Sequence, residues 1–255
     1  MVAEAKENRT SPCSVIEQTP VVTDMRIGIL QPGYLPWLGF FEQVFRCDRF
    51  VLYDDVQFEK NAWRNRNRIK TPSGPRWLTV PVYQKGHTSQ TLLETKIVEK
   101  GDWARKHLAS ISTYYGKAPF FDLYYQPLSE ILQQQWTHLV DLDIRLIRYL
   151  LAVLGITTPL FRSSELGITE GRRNDRLIAI LRALGGTAFY EGAAGRKYIE
   201  EDKFKSAGIT VEYQDYKHPN YPQLYGAFVP YLSVIDLLFN CGNESLAVIT
   251  GGKSR

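Results

Sequence analysis

The residues whose types suit proton transfer near neutral pH are four histidines, His87, His107, His138 and His218, and the adjacent pair Asp54-Asp55. His107 in DWARKHLASI and His218 in YKHPNYPQ are flanked by aromatic and polar residues that suit a pocket wall, so both are candidate bases. His87 falls in a Gly-Ser-Thr loop and His138 at a helix start, which are ordinary surface and helix-end settings. Asp54 is the third candidate base, since a neighbouring carboxylate shifts a pKa upward. Together with Val56, Gln57 and Lys60, the Asp pair could alternatively bind a metal or orient a substrate amine. Adjacent strand residues point to opposite faces, however, so the spacing argues against both carboxylates chelating one ion and leaves one of them a structural part.

Residues able to hold an anion follow in NAWRNRNRIK, where Arg64, Arg66, Arg68 and Lys70 alternate with Asn61, Trp63, Asn65, Asn67 and Ile69. An extended chain would present a basic face, either a cradle for phosphate or carboxylate or a solvated edge strand guarded by charge. Lys60, Asn65, Arg66 and Asn67 are the preferred substrate contacts, with Gln57, Asp55 and Trp63 beside them. In QPGYLPWLGFF two prolines stiffen a turn that holds Gln31 and Tyr34, while Gly33 and Gly39 permit close backbone approach. The amides of the following helix would favour an anion there. After Tyr190, the run Gly192-Ala193-Ala194-Gly195-Arg196 could form an anion nest. It has neither a Walker ending nor the spacing of a dinucleotide fingerprint, so an ordinary loop is its plainer reading. G-x-S-x-G, H-E-x-x-H and kinase signatures are absent.

The elements that must position these groups begin with RIGILQ, a β-rich run closed by Pro32-Gly33, then WLGFFEQVF with Leu38, Phe41 and Phe45 at helical spacing, then RFVLYDD. This strand, helix and strand predict a right-handed crossover and a parallel pair. Ligands bind at strand carboxyl ends in such sheets, which places the Pro32 to Pro36 turn and Asp54-Asp55 in one crevice. WLTVPVY and LLETKIV predict a meander. Helices are expected around Trp103 to Tyr115, Phe121 to Gln135 and Leu139 to Leu154. A strand in TTPLFRSSEL, a helix over RLIAILRALGG capped by Asn174 or Asp175, strands in TAFYEGAAG and GITVEYQ, and a late helix capped by Ser233 complete the chain. The fold class is α/β: a Rossmann-like, mostly parallel sheet with covering helices and an inserted helical segment, in one unit over residues 25–255.

Composition limits the function classes. Hydrophobic residues make up 44% of the 255, enough for a substantial core, and a net charge of +4 from 31 basic and 27 acidic residues does not fit a protein that coats nucleic acid. No apolar run resembles a secretory leader or a spanning helix, and residues 1–24 read as a disordered extension, so a cytoplasmic protein without membrane insertion is expected. Cys13, Cys47 and Cys241 share no ligand spacing and are expected to be free thiols.

The pieces ILQPGYLPWLGFF, DRFVLYDDVQFEKNAWRNRNRI, WLTVPV, KHLASISTYYGKAPFF, RSSELGI, AFYEGAAGRKYI and PNYPQLYGAFVPYLSVIDLLFNCG together resemble the WbqC-like protein family over about residues 25 to 250. The resemblance implies work in bacterial surface-polysaccharide or specialised-metabolite assembly. The opening is also weakly similar to nucleotidylyltransferases, but the His-x-Gly-His turn of those enzymes is missing and Gly39-Phe40 stands in its place. The expected activity is transfer of an acyl or aminoacyl group from a phosphopantetheine or coenzyme A thioester, or a phosphorylated donor, to an amine. The substrate is a small molecule or is bound to a carrier protein. His107, Asp54 or His218 would be the base, Asn65, Asn67 and amides near Tyr34 the carbonyl-polarising donors, and Arg66 with Lys60 the anion holders. The alternatives are Mg²⁺-dependent nucleotidyl transfer, with the Asp pair on the metal, and a non-catalytic carrier-binding or sugar-nucleotide-binding subunit.

Overall fold

The computed structural model describes residues 24–60, 62–84 and 89–253. The extension expected over residues 1–24 lies, except for Asp24, outside the described residues, as do Cys13, Asn61 and His87. The sheet is built from β1 (Arg26–Leu30), β2 (Arg49–Leu52), β5 (Leu160–Arg162), β6 (Ala188–Glu191) and β7 (Thr210–Tyr213), in the spatial order β5-β2-β1-β6-β7. All four pairings are parallel. The chain therefore winds outward from β1 in one direction, returns, and winds outward in the other. That leaves a topological switch between β1 and β6, the place where such sheets open a crevice for ligands.

Short apolar strands demand cover on both faces. On one face Ile27, Ile29, Val51 and Phe189 pack with Leu177, Ile180, Leu181 and Phe204 of α5 (Asn174–Ala183) and α6 (Glu201–Ser206). On the other, Leu38 and Phe41 of α1 (Leu38–Arg46) and Leu237, Leu238 and Phe239 of α7 (Val234–Cys241) join a larger core. That core takes in α2 (Trp103–Tyr115), α3 (Phe121–Leu132) and α4 (Leu139–Leu154), the helical segment inserted between β2 and β5. The last helix, α8 (Ser245–Thr250), contacts α1. No helix among the described residues is long and apolar enough to cross a membrane.

The insertion also carries a hairpin, β3 (Arg66–Thr71) paired antiparallel with β4 (Gly74–Thr79). This differs from the expected meander. The basic run itself pairs with GPRWLT, whereas LLETKIV forms no strand and is held by isolated bridges, Val82 to Ile97 and Lys96 to His138, with Gln57 to Thr91 immediately before it. Register places Arg68 opposite Trp77 and Arg66 opposite Thr79, on one face of the hairpin. Lys70 continues that face but is buried, its Nζ donating to the Ala227 carbonyl at 2.7 Å. The fifth helix begins at Asn174 without a side-chain cap, because Asn174 Nδ2 donates instead to Tyr198 O and Glu200 Oε1. Ser233 does cap α7, accepting from the Ile235 amide. Cys241 is a free thiol, and Cys47 is buried.

Candidate functional site

The chain leaves β1 at Leu30 and turns at once into residues that cannot continue a strand. Pro32 and Pro36 lack amide donors, and Leu35 adopts a positive φ of 45°. Three ties fix the turn: Tyr34 N donates to Arg64 O at 2.9 Å, Val234 N to Pro36 O at 2.9 Å, and Asn67 Nδ2 to Leu35 O at 2.6 Å. The segment running into β3 crosses so closely that a Cβ on Gly33 would stand 2.7 Å from Trp63 O, so glycine is required by space alone.

Where this turn meets α1 and the hairpin there is a cavity of about 480 Å³, within the range of small-molecule sites. Leu30, Pro36, Trp37, Phe40, Trp63 and Tyr231 supply apolar and aromatic wall, and Gln31, Arg64, Asn67 and Arg68 supply polar groups. Arg68 donates to Tyr231 O at 3.1 Å, and Arg64 to Gln31 O at 3.2 Å. Burial works against the Arg64 charge, while Glu59, Asp143 and Tyr198 favour it. The Gln31 carboxamide has no partner among the described residues and belongs to the cavity wall.

Across the switch point, β6 ends in Glu191. Its Oε1 accepts from Gly192 N at 3.0 Å and from Tyr198 Oη at 3.1 Å, and its Oε2 has no partner among the described residues. Burial pushes the carboxyl up to about 7, opposed in part by these two hydrogen bonds. Gly195 lies directly against it, and any side chain there would overlap Glu191 Cγ. The same loop does not form an open anion nest, because the Gly192 amide is taken by Glu191 and the Gly195 amide by Gly192 O.

Of the residues singled out from sequence, Gln31, Gly33, Trp63, Arg64, Asn67 and Arg68 line the cavity, and Tyr190, Gly192 and Gly195 lie next to Glu191, which is not among its lining residues. Tyr190 turns to the α1 side, where its hydroxyl lies 3.4 Å from Glu42 Oε2, and Arg196 stacks over Tyr213 at 4.1 Å. Gln57 and Lys60 are exposed, and neither lines the cavity. Asn65 is buried with Nδ2 on Val80 O, and Arg66 stacks on Trp77.

The three candidate bases are each committed elsewhere. His107 is buried in α2, with Nδ1 2.9 Å from Tyr34 Oη and its ring also bonded to the Thr79 backbone. Burial pulls it down to about 4, so the imidazole is neutral above that pH. His218 donates from Nδ1 to Pro219 O and accepts at Nε2 from the Tyr231 amide, which fixes one neutral tautomer. Its ring stacks with Trp37 and braces Tyr231, so it shapes the cavity wall from behind.

Asp54 is fully buried and serves β5. Its oxygens take Arg162 Nε at 2.6 Å, Ser163 Oγ at 3.0 Å, Ser164 N at 3.0 Å and Ser164 Oγ at 2.9 Å. Asp55 pairs with Arg176 and lies 2.6 Å from Ser163 Oγ. The two carboxylates therefore converge on one hydroxyl instead of diverging, because β2 ends at Leu52 and strand alternation no longer applies beyond it. They lie on the β5 side of the sheet and do not share a crevice with the Pro32 to Pro36 turn. With guanidinium and hydroxyl groups already on their oxygens, this pair does not fit a Mg²⁺ site.

Asp143 of α4 was not singled out in sequence. It is fully buried, neither oxygen has a partner among the described residues, and burial raises its pKa well above the usual carboxylate range despite Arg64. A carboxyl with a raised folded pKa contributes stability below its unfolded pKa and loses it as pH rises. Asp143→Asn should therefore match the wild type near pH 4 and exceed it at pH 7, with a gain of at most about 1.4 kcal/mol per pH unit. Denaturant unfolding at both pH values checks this, and a difference independent of pH would mean that Asp143 is ionised in the fold.

The WbqC-like protein family matches residues 31–248. The Mycobacterium tuberculosis protein named "Uncharacterized protein Rv1507c" is 37% identical over 222 residues, spanning 86% of this chain and 95% of its own length. No solved structure matches the chain. The match runs from the cavity residue Gln31 through Glu191 and Tyr231 to α8, and the chain belongs to the WbqC-like protein family.

Proposed function

We propose that the protein is a biosynthetic group-transfer enzyme that joins an acyl or aminoacyl group to an amine, with the reaction in the cavity beside the β1–β6 switch point. The observation that carries this reading is an aromatic cavity holding two guanidinium groups at the carboxyl end of β1, with Glu191, a carboxyl raised to about 7, at the end of the adjacent β6 and bonded to Tyr198, which interacts electrostatically with Arg64 of the cavity wall. The setting, assembly of a surface polysaccharide or specialised metabolite, follows from the family resemblance.

Each step has a candidate group. Arg68 of the cavity wall holds the anionic part of a phosphopantetheine, coenzyme A or phosphorylated donor, as guanidinium groups do for phosphate, with the Arg64 charge beside it in the wall. The amine nitrogen attacks the carbonyl carbon, and Glu191 Oε2 takes its proton. The Tyr34 amide is committed to Arg64 O, and Asn65 and Asn67 each spend one of two Nδ2 hydrogens on a backbone carbonyl, so the Gln31 carboxamide and the second Nδ2 hydrogen of Asn67, both in the cavity wall, are the groups left to meet the developing oxyanion. Collapse breaks the bond to sulfur or phosphate, and the proton passes from Glu191 to the departing group.

Mass spectrometry of products tests this. Coenzyme A and phosphopantetheine thioesters offered with amine acceptors should yield amides. Diphosphate release from ATP or CTP with Mg²⁺ would instead establish nucleotidyl transfer, and binding without any turnover would make the chain a carrier-binding or sugar-nucleotide-binding subunit.

A further inference from the structure

The hairpin face outside the cavity exposes two large aromatic side chains. Trp63 is 45% exposed and Trp77 42% exposed, side by side with ring centroids 5.0 Å apart. Large apolar side chains in contact at a surface mark recognition sites more often than scattered single ones do. Guanidinium groups interleave with the indoles: Arg66 lies 4.5 Å from the Trp77 ring, and Arg68 lies 5.5 Å from Trp63 and 5.6 Å from Trp77. Arg68 is oriented by its bond to Tyr231 O and keeps other N–H donors. Trp63 and Arg68 are also cavity wall, so the ladder and the cavity form one continuous track.

We propose that this ladder binds a nucleoside diphosphate handle on the donor, with the base stacked against Trp77 and the diphosphate on Arg66 and Arg68. Every base offers a π face to an indole, and planar guanidinium groups match phosphate oxygens. The track then directs the reactive end of the donor past Trp63 into the cavity. This rests on the cavity as the reaction site and narrows its donor to a small nucleotide-linked molecule such as a coenzyme A thioester, which carries an adenosine diphosphate, in preference to an acyl group on a carrier protein.

Calorimetric titration of the full chain with ADP, UDP and inorganic diphosphate tests the assignment. ADP and UDP should bind, Trp77→Ala should weaken both about tenfold or more, and Trp77→Phe should restore most of the loss. Arg68→Gln should weaken the nucleotides and diphosphate alike, while diphosphate should ignore Trp77→Ala. Equal ADP affinity in wild type and Trp77→Ala, or diphosphate binding as tightly as ADP, overturns the proposal. So does a short single-stranded oligonucleotide binding far more tightly than ADP, which would make the ladder a nucleic-acid track. If Trp77→Ala leaves nucleotide binding unchanged while amide formation is observed, the handle is refuted and the transfer reading stands. Trp77-dependent ADP binding without amide formation refutes the transfer reading and leaves the handle.

Discussion

Glu191→Gln is expected to slow amide formation by about 10²–10⁴-fold while leaving ADP affinity unchanged, the range spanned by loss of a general base. Gln keeps the acceptor at Oε1 for Gly192 N and Tyr198 Oη, so the β6 end keeps its hydrogen bonds, but no carboxylate remains at Oε2 to take a proton. Because burial lifts the acid to about 7, kcat/KM should rise as pH passes upward through that value in the wild type, and this limb should vanish in the variant. Tyr198→Phe removes a hydrogen bond that favours the ionised form, so its acid limb should move to higher pH. The stability sign is opposite to the activity sign. A raised folded pKa contributes stability below the unfolded value and loses it as pH rises through about 7, so the ionisation that activates the site weakens the fold around it. A Glu191→Gln enzyme with the same rate and pH profile as the wild type would remove Glu191 from the chemistry.

Asp54→Ala is expected to destabilise the fold by about 3–5 kcal/mol, the range for removing one member of a buried, multiply hydrogen-bonded ion pair. The substitution removes the acceptor of Arg162 Nε, the Ser164 amide and the Ser164 hydroxyl at the join of β2 and β5, leaving Arg162 with Glu165 and Ser163 Oγ with Asp55. For a domain of this size that corresponds to a fall in Tm of roughly 6–20 °C, read by thermal unfolding. Turnover of the protein that remains folded, measured well below the transition, should stay near wild type. A variant with native Tm and no turnover would instead place Asp54 in the chemistry.

Much of the scaffold is legible in the sequence because its signals are local. Apolar residues at a period of 3.6 mark α2, α3 and α4, with α3 stopping at Leu132 short of the expected Gln135. The β1, turn, α1, β2 opening is equally plain, since RIGIL and RFVL bracket Pro32-Gly33. The hairpin was obscured because its two strands have different patterns, and LLETKIV has strand composition without a strand partner. The site is less legible. Glu191 looks like any Glu before a glycine, and its raised pKa arises from burial at a sheet position where β1, more than 150 residues earlier in the chain, is the neighbouring strand. Asp54 and the histidines have the right types for chemistry, but types do not show that their lone pairs and protons are already used. Arg64 and Arg68 were visible as a basic face. What the sequence could not show is that Trp63, Trp37 and Tyr231 close around them, because Tyr231 reaches the cavity through the α7 leader that pairs Ser233 with Trp37.

The most direct test of the cavity as the ligand site is thermal unfolding of wild type and Arg68→Gln with coenzyme A at 100 times its wild-type Kd. A stabilisation of about 2.7 kcal/mol is expected in the wild type and is largely lost in the variant. Equal stabilisation of both proteins would place the ligand elsewhere and contradict the cavity as the ligand site.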